Sequence, residues 1–422
     1  MRLRYAIKLS PRVKARNLSG DDQVTFAPME AISDGLGGID ISRSAPLNEL
    51  AAGSYNPFQC GDVLLAKVTP CFENGKKASV PSLPSKIGYA TSEVHVIRPD
   101  PTKIDRNFLM YVMGSSTFMS EGVQSMTGAG GLKRISPAAI LDHRLLITDI
   151  RQQRQIVSYL DRETRRIDDL IAEKGSFITL LREKRVAEIS HAVTKGINSD
   201  GPKKPSGVAW IGDIPASWDL TKLGYLGRSA NGVNIGGDAF GTGFPFVSYG
   251  DVYKNRQLPE TVKGLVECSK QDRRTYSVRE GDIFFTRTSE TIDEIAFPSV
   301  CKKSIPEAVF AGFLIRFRPY PGVLLPGFSK YAFQNQAVRH FFSREMKLVT
   351  RASLSQGLLQ SLPLPLPPID VQQSIAEYLD RKEVRFLELV SETERSIALL
   401  KEKRAALITA AVTGKIDVRS SA

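Results

Sequence analysis

The sequence predicts an α+β protein: two mixed, strand-rich domains separated by two long helices that pair as an intramolecular antiparallel coiled coil, in a pseudo-twofold repeat. Three observations predict it. A stretch beginning YLDRETRRIDDLIAEK at Tyr159 returns as YLDRKEVRFLELVSET at Tyr378, 219 residues later, and 20 positions are identical between 156–197 and 375–416. Apolar residues in both copies recur at gaps of three, four, seven and eight with no proline between them, the pattern of one long amphipathic helix per copy. A fainter echo precedes each helix, GDVLLAKVTPCFENGKKASV from Gly61 and GDIFFTRTSETIDEIAFPSV from Gly281, at an offset of 220.

The elements follow in chain order. Residues 1–148 form the first domain, where Gly61-Asp62 turns into a short apolar strand followed by Lys67 and a polar loop. Residues 149–198 form the first helix, with its stripe at Ile156, Leu160, Ile167, Leu170, Ile178, Leu181, Ile189 and Val193. Gly175 weakens it locally, by roughly 1 kcal/mol. Residues 199–369 hold a linker, NSDGPKKPSGVAWIGDIPASWDL from Asn198, and the second domain, where Gly281-Asp282 leads through a strand to Arg287. Residues 370–417 form the second helix, striped at Ile375, Leu379, Phe386, Leu389, Ile397, Leu400, Ile408 and Val412, and 418–422 are a tail. A helix of about 44 residues is about 66 Å long and cannot bury a narrow stripe against itself. The economical partner is the other copy, so Tyr159, Leu160, Leu170 and Leu181 are expected to meet Tyr378, Leu379, Leu389 and Leu400 in the seam or to present a docking face. The alternative is that each helix packs only on its neighbouring domain.

The helix copies match far better than the domains before them. The helices therefore share a structural task, while the domains perform the same kind of task on different targets. The net charge of +12 divides as +4 over 1–148, +2 over 149–198, +6 over 199–369 and 0 over 370–422. A surplus placed in the two domains suits a polyanion such as DNA. No run of eighteen apolar residues occurs, and MRLRYAIKLSPRVKARN lacks the apolar core of a signal peptide, so no membrane association and a cytoplasmic location are expected.

Reactive chemistry is not predicted. The four cysteines and four histidines stand singly, without the clustering a metal site needs, so no metal ligands are assigned. GAGGLK at 128–133 fails the phosphate-loop pattern because Leu132 precedes the lysine. No GxSxG, HExxH or NPPY-like stretch is present, and Asp168-Asp169 lies on a solvated helix face. No catalytic residue is expected.

Taken together, FQCGDVLLAKVTPCFENGKKA (58–78), WIGDIPASWDLTKLGYL (210–226), YSVREGDIFFTRTSETIDEIAF (276–297), LPLPLPPIDVQQSIAEYLD (362–380) and the two YLDR…REKR/KEKR helices resemble the specificity subunits of type I restriction-modification enzymes, over essentially the whole chain. Two segments depart from the usual pattern, LLITDIRQQRQI before the first helix and the glycine-rich MTGAGGLKRIS.

The resemblance implies a non-catalytic subunit with two target recognition domains, each reading half of a bipartite, gapped site in double-stranded DNA. The helices would set the gap and dock two methyltransferase subunits, with two motor and restriction subunits joining for cleavage. It implies no cofactor on this chain, and places S-adenosylmethionine, ATP and Mg on the partner subunits. With both domains on one side of B-DNA, centres about 10 base pairs apart would leave a gap of roughly six or seven pairs. Lys67, Asn74, Lys76, Lys77, Lys133 and Arg134 in the first domain, and Arg287, Thr288, Ser289, Lys302, Lys303 and Arg351 in the second, are the expected DNA contacts, divided between phosphate anchors and base readers. The competing reading is a coiled-coil protein-interaction scaffold without sequence-specific DNA reading, which the repeat alone would suit equally well.

Overall fold

The computed structural model describes residues 1–13, 18–34, 38–129, 131–146, 148–198, 201–289, 295–345, 352–416 and 418. Contacts divide the chain into two compact units, Met1–Gly175 with Glu394–Ala422, and Ser176–Thr393. Both cuts fall inside the long helices. The sequence reading set domains and helices apart, whereas by contact each unit holds one domain together with half of each helix.

In unit 1, the strands are β1 (Ile7–Leu9), β2 (Gln23–Ala27), β3 (Ser44–Pro46), β4 (Asn56–Gln59), β5 (Val63–Ala66), β6 (Lys77–Ser79), β7 (Ile87–Ala90) and β8 (Val94–Pro99). They form two four-stranded sheets, an antiparallel one ordered β1-β8-β5-β6 and a mixed one ordered β3-β2-β7-β4, in which β2 and β7 are parallel. Short helices α1 (Leu47–Ala52), α2 (Arg106–Val112), α3 (Ser116–Gln124) and α4 (Pro137–Asp142) lead to the first long helix, α5 (Ile150–Lys195).

Unit 2 contains β9 (Lys203–Pro205), β10 (Asp213–Pro215), β11 (Asp219–Lys222), β12 (Gly227–Asn231), β13 (Phe240–Val247), β14 (Gly264–Val266), β15 (Ile283–Thr286), β16 (Thr288–Ser289), β17 (Pro298–Val300), β18 (Val309–Phe310), β19 (Leu314–Pro319), β20 (Ala352–Ser353) and β21 (Pro363–Leu366). Its helices are α6 (Tyr249–Lys254), α7 (Lys270–Thr275), α8 (Pro326–Ala332), α9 (Gln336–Glu345), α10 (Gln356–Ser361) and the start of α11 (Ile369–Val412). The sheet order β12-β19-β15-β17 repeats β1-β8-β5-β6, and β14-β13-β18 repeats β3-β2-β7.

The Gly-Asp echo has a structural reason in both units. Gly61 and Gly281 sit at φ +88° and +85°, a left-handed turn that glycine enters without a Cβ clash. The buried aspartates that follow accept the N–H of Gln59 (2.9 Å) and of Arg279 (2.7 Å), which closes the turn. Each carboxylate is then held by a forked arginine from the neighbouring strand, Arg98 on Asp62 (2.6 and 2.8 Å) and Arg318 on Asp282 (both 2.6 Å). The strands beyond, VLLA and IFFT, are buried at every position because both faces are covered.

Each domain grips a helix by the same contacts. Gln153 of α5 accepts the N–H of Asp105 and donates to the carbonyls of Lys103 and Thr148; Gln372 of α11 accepts the N–H of Leu325 and donates to those of Val323 and Pro367. The Tyr111 hydroxyl donates to Asp161 and the Tyr331 hydroxyl to Asp380, both at 2.6 Å. Burial first, then the adjacent carboxylate, raises the pKa of both tyrosines above the ordinary phenol value.

Within each unit the helix halves run antiparallel. In unit 2, Arg185 pairs with Glu383 and Glu188 with Lys382, while Ile189, Ala192 and Val193 share a core with Ile375 and Leu379. In unit 1, Arg404 pairs with Asp168, and Ile156, Val157 and Leu160 share a core with Ile408, Ala411 and Val412. Leu160 and Leu379 are buried; Tyr159, Leu181, Tyr378, Leu389 and Leu400 are half-buried. Leu170 departs from the predicted seam, with 37% of its surface exposed. Gly175 remains within continuous helix, with open space where a Cβ would stand.

Candidate nucleic-acid interface

At the end of each antiparallel sheet remote from the Gly-Asp turn, one local structure occurs twice. In unit 1 a turn over 91–94 is closed by Val94 N–H on the Thr91 carbonyl (3.2 Å), and Thr91 N–H donates to Ala27 (3.0 Å). In unit 2 the turn over 311–314 is closed by Leu314 N–H on Ala311 (3.0 Å), and Ala311 N–H donates to Val247 (3.0 Å). The basic residue after the buried strand docks on each turn. Lys67 N–H donates to Glu93 and its ammonium to the Ser92 carbonyl (2.6 Å); Arg287 N–H donates to Phe313, with its guanidinium 3.5 Å from the Gly312 carbonyl. A returning segment then crosses alongside, Ile135 N–H on Lys67 and Leu354 N–H on Arg287.

Unit 1 gathers Lys67, Lys133 and Arg134 around its turn. Lys133 is exposed, its backbone N–H held by the Thr69 hydroxyl at 3.0 Å. Arg134 forks onto Glu93 at 2.6 and 3.0 Å, which holds the Glu93 carboxyl below the ordinary range. Burial lowers the Lys67 pKa, with Glu93 opposing and Arg134 adding to the shift. His95, buried below, is pushed down to about 4, chiefly by burial and then by the Lys67 charge. Unit 2 gathers Arg287, Thr288 and Ser289, the last two half-buried in the β16–β20 ladder.

Other predicted contacts lie elsewhere. Asn74 is exposed on the loop after Pro70. Lys76 is half-buried, its ammonium on the carbonyls of Ile32 (3.0 Å) and Met29 (3.4 Å). Lys77 is the clearest correction: it is 2% exposed, its ammonium beside Gly114, and burial, reinforced by the Arg404 charge, lowers its pKa to about 8. A side chain facing inward from β6 cannot reach a groove. Lys302 and Lys303 stand at the opposite end of β15 from Arg287, just beyond Cys301, whose N–H donates to Asp282; Lys303 is exposed and paired with Glu260 at 3.0 Å. Arg351 lies outside the described residues.

Sequence reasoning missed Glu93 and Phe313. They occupy one position of the repeated turn, and Phe313 is 65% exposed. Their offset of 220 was available, but ATSEV and FAGFL share too little to reveal it. Among the described residues no group of three or more His, Cys, Asp or Glu could hold a metal ion, and no helix is long and apolar enough to cross a membrane.

Comparison with known proteins points in one direction. Residues 218–397 match the family model described as the type I restriction modification DNA specificity domain. The specificity subunit of the type I restriction enzyme EcoAI from Escherichia coli is 32% identical over 151 residues, 36% of this chain and 25% of that protein. The EcoEI specificity subunit, also from Escherichia coli, is 29% identical over 149 residues, 35% of this chain and 25% of that protein. The alignments thus span a quarter of these two relatives. A chain solved in work on complex assembly and conformational transition of the type I R-M system superimposes with a TM-score of 0.72 at 17% identity, covering 97% of this chain and 98% of its own. The HsdS subunit from Thermoanaerobacter tengcongensis gives 0.61 at 17% identity, covering 99% and 96%. At these identities the two structures establish a shared fold.

Proposed function

We propose that this chain is a specificity subunit of the type I restriction-modification family, a reading supported by the family model over 218–397 and by the specificity-subunit relatives, and that each unit reads one half of a bipartite DNA site. The repeated turn with a docked cation, Lys67 in unit 1 and Arg287 in unit 2, carries the reading. Two copies of one cationic tip, bearing different neighbouring side chains, suit two half-sites of different sequence. Phosphate contacts would fix register, and residues at the tips would read base edges. Lys133 and Arg287 are the leading anchors; Thr288 and Ser289 are polar readers.

The long helices act as the ruler and as docking faces for two methyltransferase subunits, with two motor-restriction subunits completing the assembly. Identical YLDR segments in both copies support equivalent docking sites. S-adenosylmethionine, ATP and Mg belong to those partners, and the assembly works in the cytoplasm. Adding one turn to both helices changes the unread gap and leaves both half-sites intact.

Modification-sensitive long-read sequencing of the host genome, with the gene intact and deleted, tests the reading. Loss of one split methylation motif upon deletion is the expected outcome. Unchanged motifs while the partner methyltransferase is expressed would instead favour the protein-interaction scaffold.

A further inference from the structure

We propose that Phe313 is a specificity-determining residue of unit 2, making apolar contact with the C5 methyl of one thymine in the major groove. The inference rests on the DNA-reading function above and names one chemical group that this reading would detect.

The turn leaves Phe313 little choice of direction. A Cβ on Gly312 would stand 1.9 Å from Asn234 Oδ1, and one on Gly232 would stand 2.1 Å from the Ala311 carbonyl oxygen, so the turn is clamped closely from one side. The ring at the next position is left 65% exposed. Its backbone carbonyl accepts from Arg287, whose guanidinium lies on the preceding carbonyl. The ring is thus placed beside a cation suited to a phosphate strand.

The fold itself does not require an aromatic ring there. Unit 1 builds the same turn with Glu93, whose carboxylate is neutralised by Arg134. Two other exposed rings, Tyr5 at 62% and Tyr225 at 76%, behave differently. They occupy equivalent places in both repeats, before β1 and before β12 at the other end of the sheet, so they do not distinguish the units. Phe313 does. Among the groups on the major-groove edges, the thymine methyl is the apolar one, and phenylalanine is a recognised contact for it.

The test uses the full-length chain in complex with its methyltransferase partner, and duplexes in which each thymine of the bipartite site is replaced in turn by uracil, which removes the methyl alone. One replacement should weaken binding about threefold to fivefold, as expected for burial of one methyl group. In the Phe313→Ala complex that replacement should have no effect. A flat thymine scan with the wild-type complex, or a penalty that persists in Phe313→Ala, would overturn the assignment. Should Phe313→Ala fail to assemble, the wild-type scan still decides. Loss of DNA reading altogether would show as no split motif depending on the chain; a motif that stands with a flat scan removes Phe313 alone.

Discussion

Gln153 in unit 1 and Gln372 in unit 2 make the same three hydrogen bonds to their respective domains, yet the turns at the far ends of the two sheets carry Glu93 and Phe313. The frame is repeated side chain by side chain where a domain grips its helix. At the tips, the repeat survives in the backbone alone. Backbone contacts there fix the position of a residue without dictating its chemistry, as the proposed reading of two different half-sites requires.

The widest effect should come from the frame. Asp62→Ala and Asp282→Ala each take the carboxylate from a half-buried arginine and open the turn behind Gly61 or Gly281, and each should cost about 3 kcal/mol. Urea unfolding monitored separately in the two units would show it; a loss in one unit without the other would break the claimed equivalence. Lys77 supplies the next largest effect, confined to unit 1. Lys77→Met should raise unit 1 stability at pH 7 by on the order of 2 kcal/mol, because a charged ammonium is no longer buried. The folded pKa of about 8 lies below the ordinary lysine value of 10.5, so the wild type gains stability as pH rises between them and the advantage of Met shrinks. A pH-independent difference would sink this account.

A smaller and asymmetric effect should come from the tyrosine contacts. Tyr111→Phe should cost about 1–2 kcal/mol and Tyr331→Phe less, since Lys330 still pairs with Asp380 at 2.8 Å after the hydroxyl is gone. Equal losses in the two units would show that Lys330 contributes nothing to the grip. Burial alone would raise the Asp380 pKa, but hydrogen bonds from Lys330 and Tyr331 outweigh it and hold it low.

Much of the frame was legible in the sequence because helix repeats write their seam in side chains. The stripe through Leu160 and Leu379, and the Gly-Asp turns, follow from spacing and from the needs of a left-handed turn. Lys77 was misread because it opens strand β6 with its side chain buried, whereas Lys76 just before the strand stays half-buried, and the adjacent pair looks alike in sequence. Phe313 was invisible because its exposure is set by Gly232 approaching Ala311 and by Asn234 crowding Gly312, contacts between residues about 80 positions apart. Lys302 and Lys303 follow the same lesson, since the antiparallel return of β17 along β15 carries the chain from the Arg287 end back to the Asp282 end.

The cuts at Gly175 and Thr393 also have a consequence in time. Unit 2 is one uninterrupted segment, Ser176–Thr393, whereas unit 1 needs residues from 394 onward to cover Ile156, Val157 and Leu160. A ribosome therefore delivers everything unit 2 requires while the domain translated first still lacks its last helical half. The later domain can fold to completion first. The earlier one must wait with an apolar stripe uncovered, closing a loop of more than two hundred residues at a modest entropic penalty that grows only with the logarithm of its length.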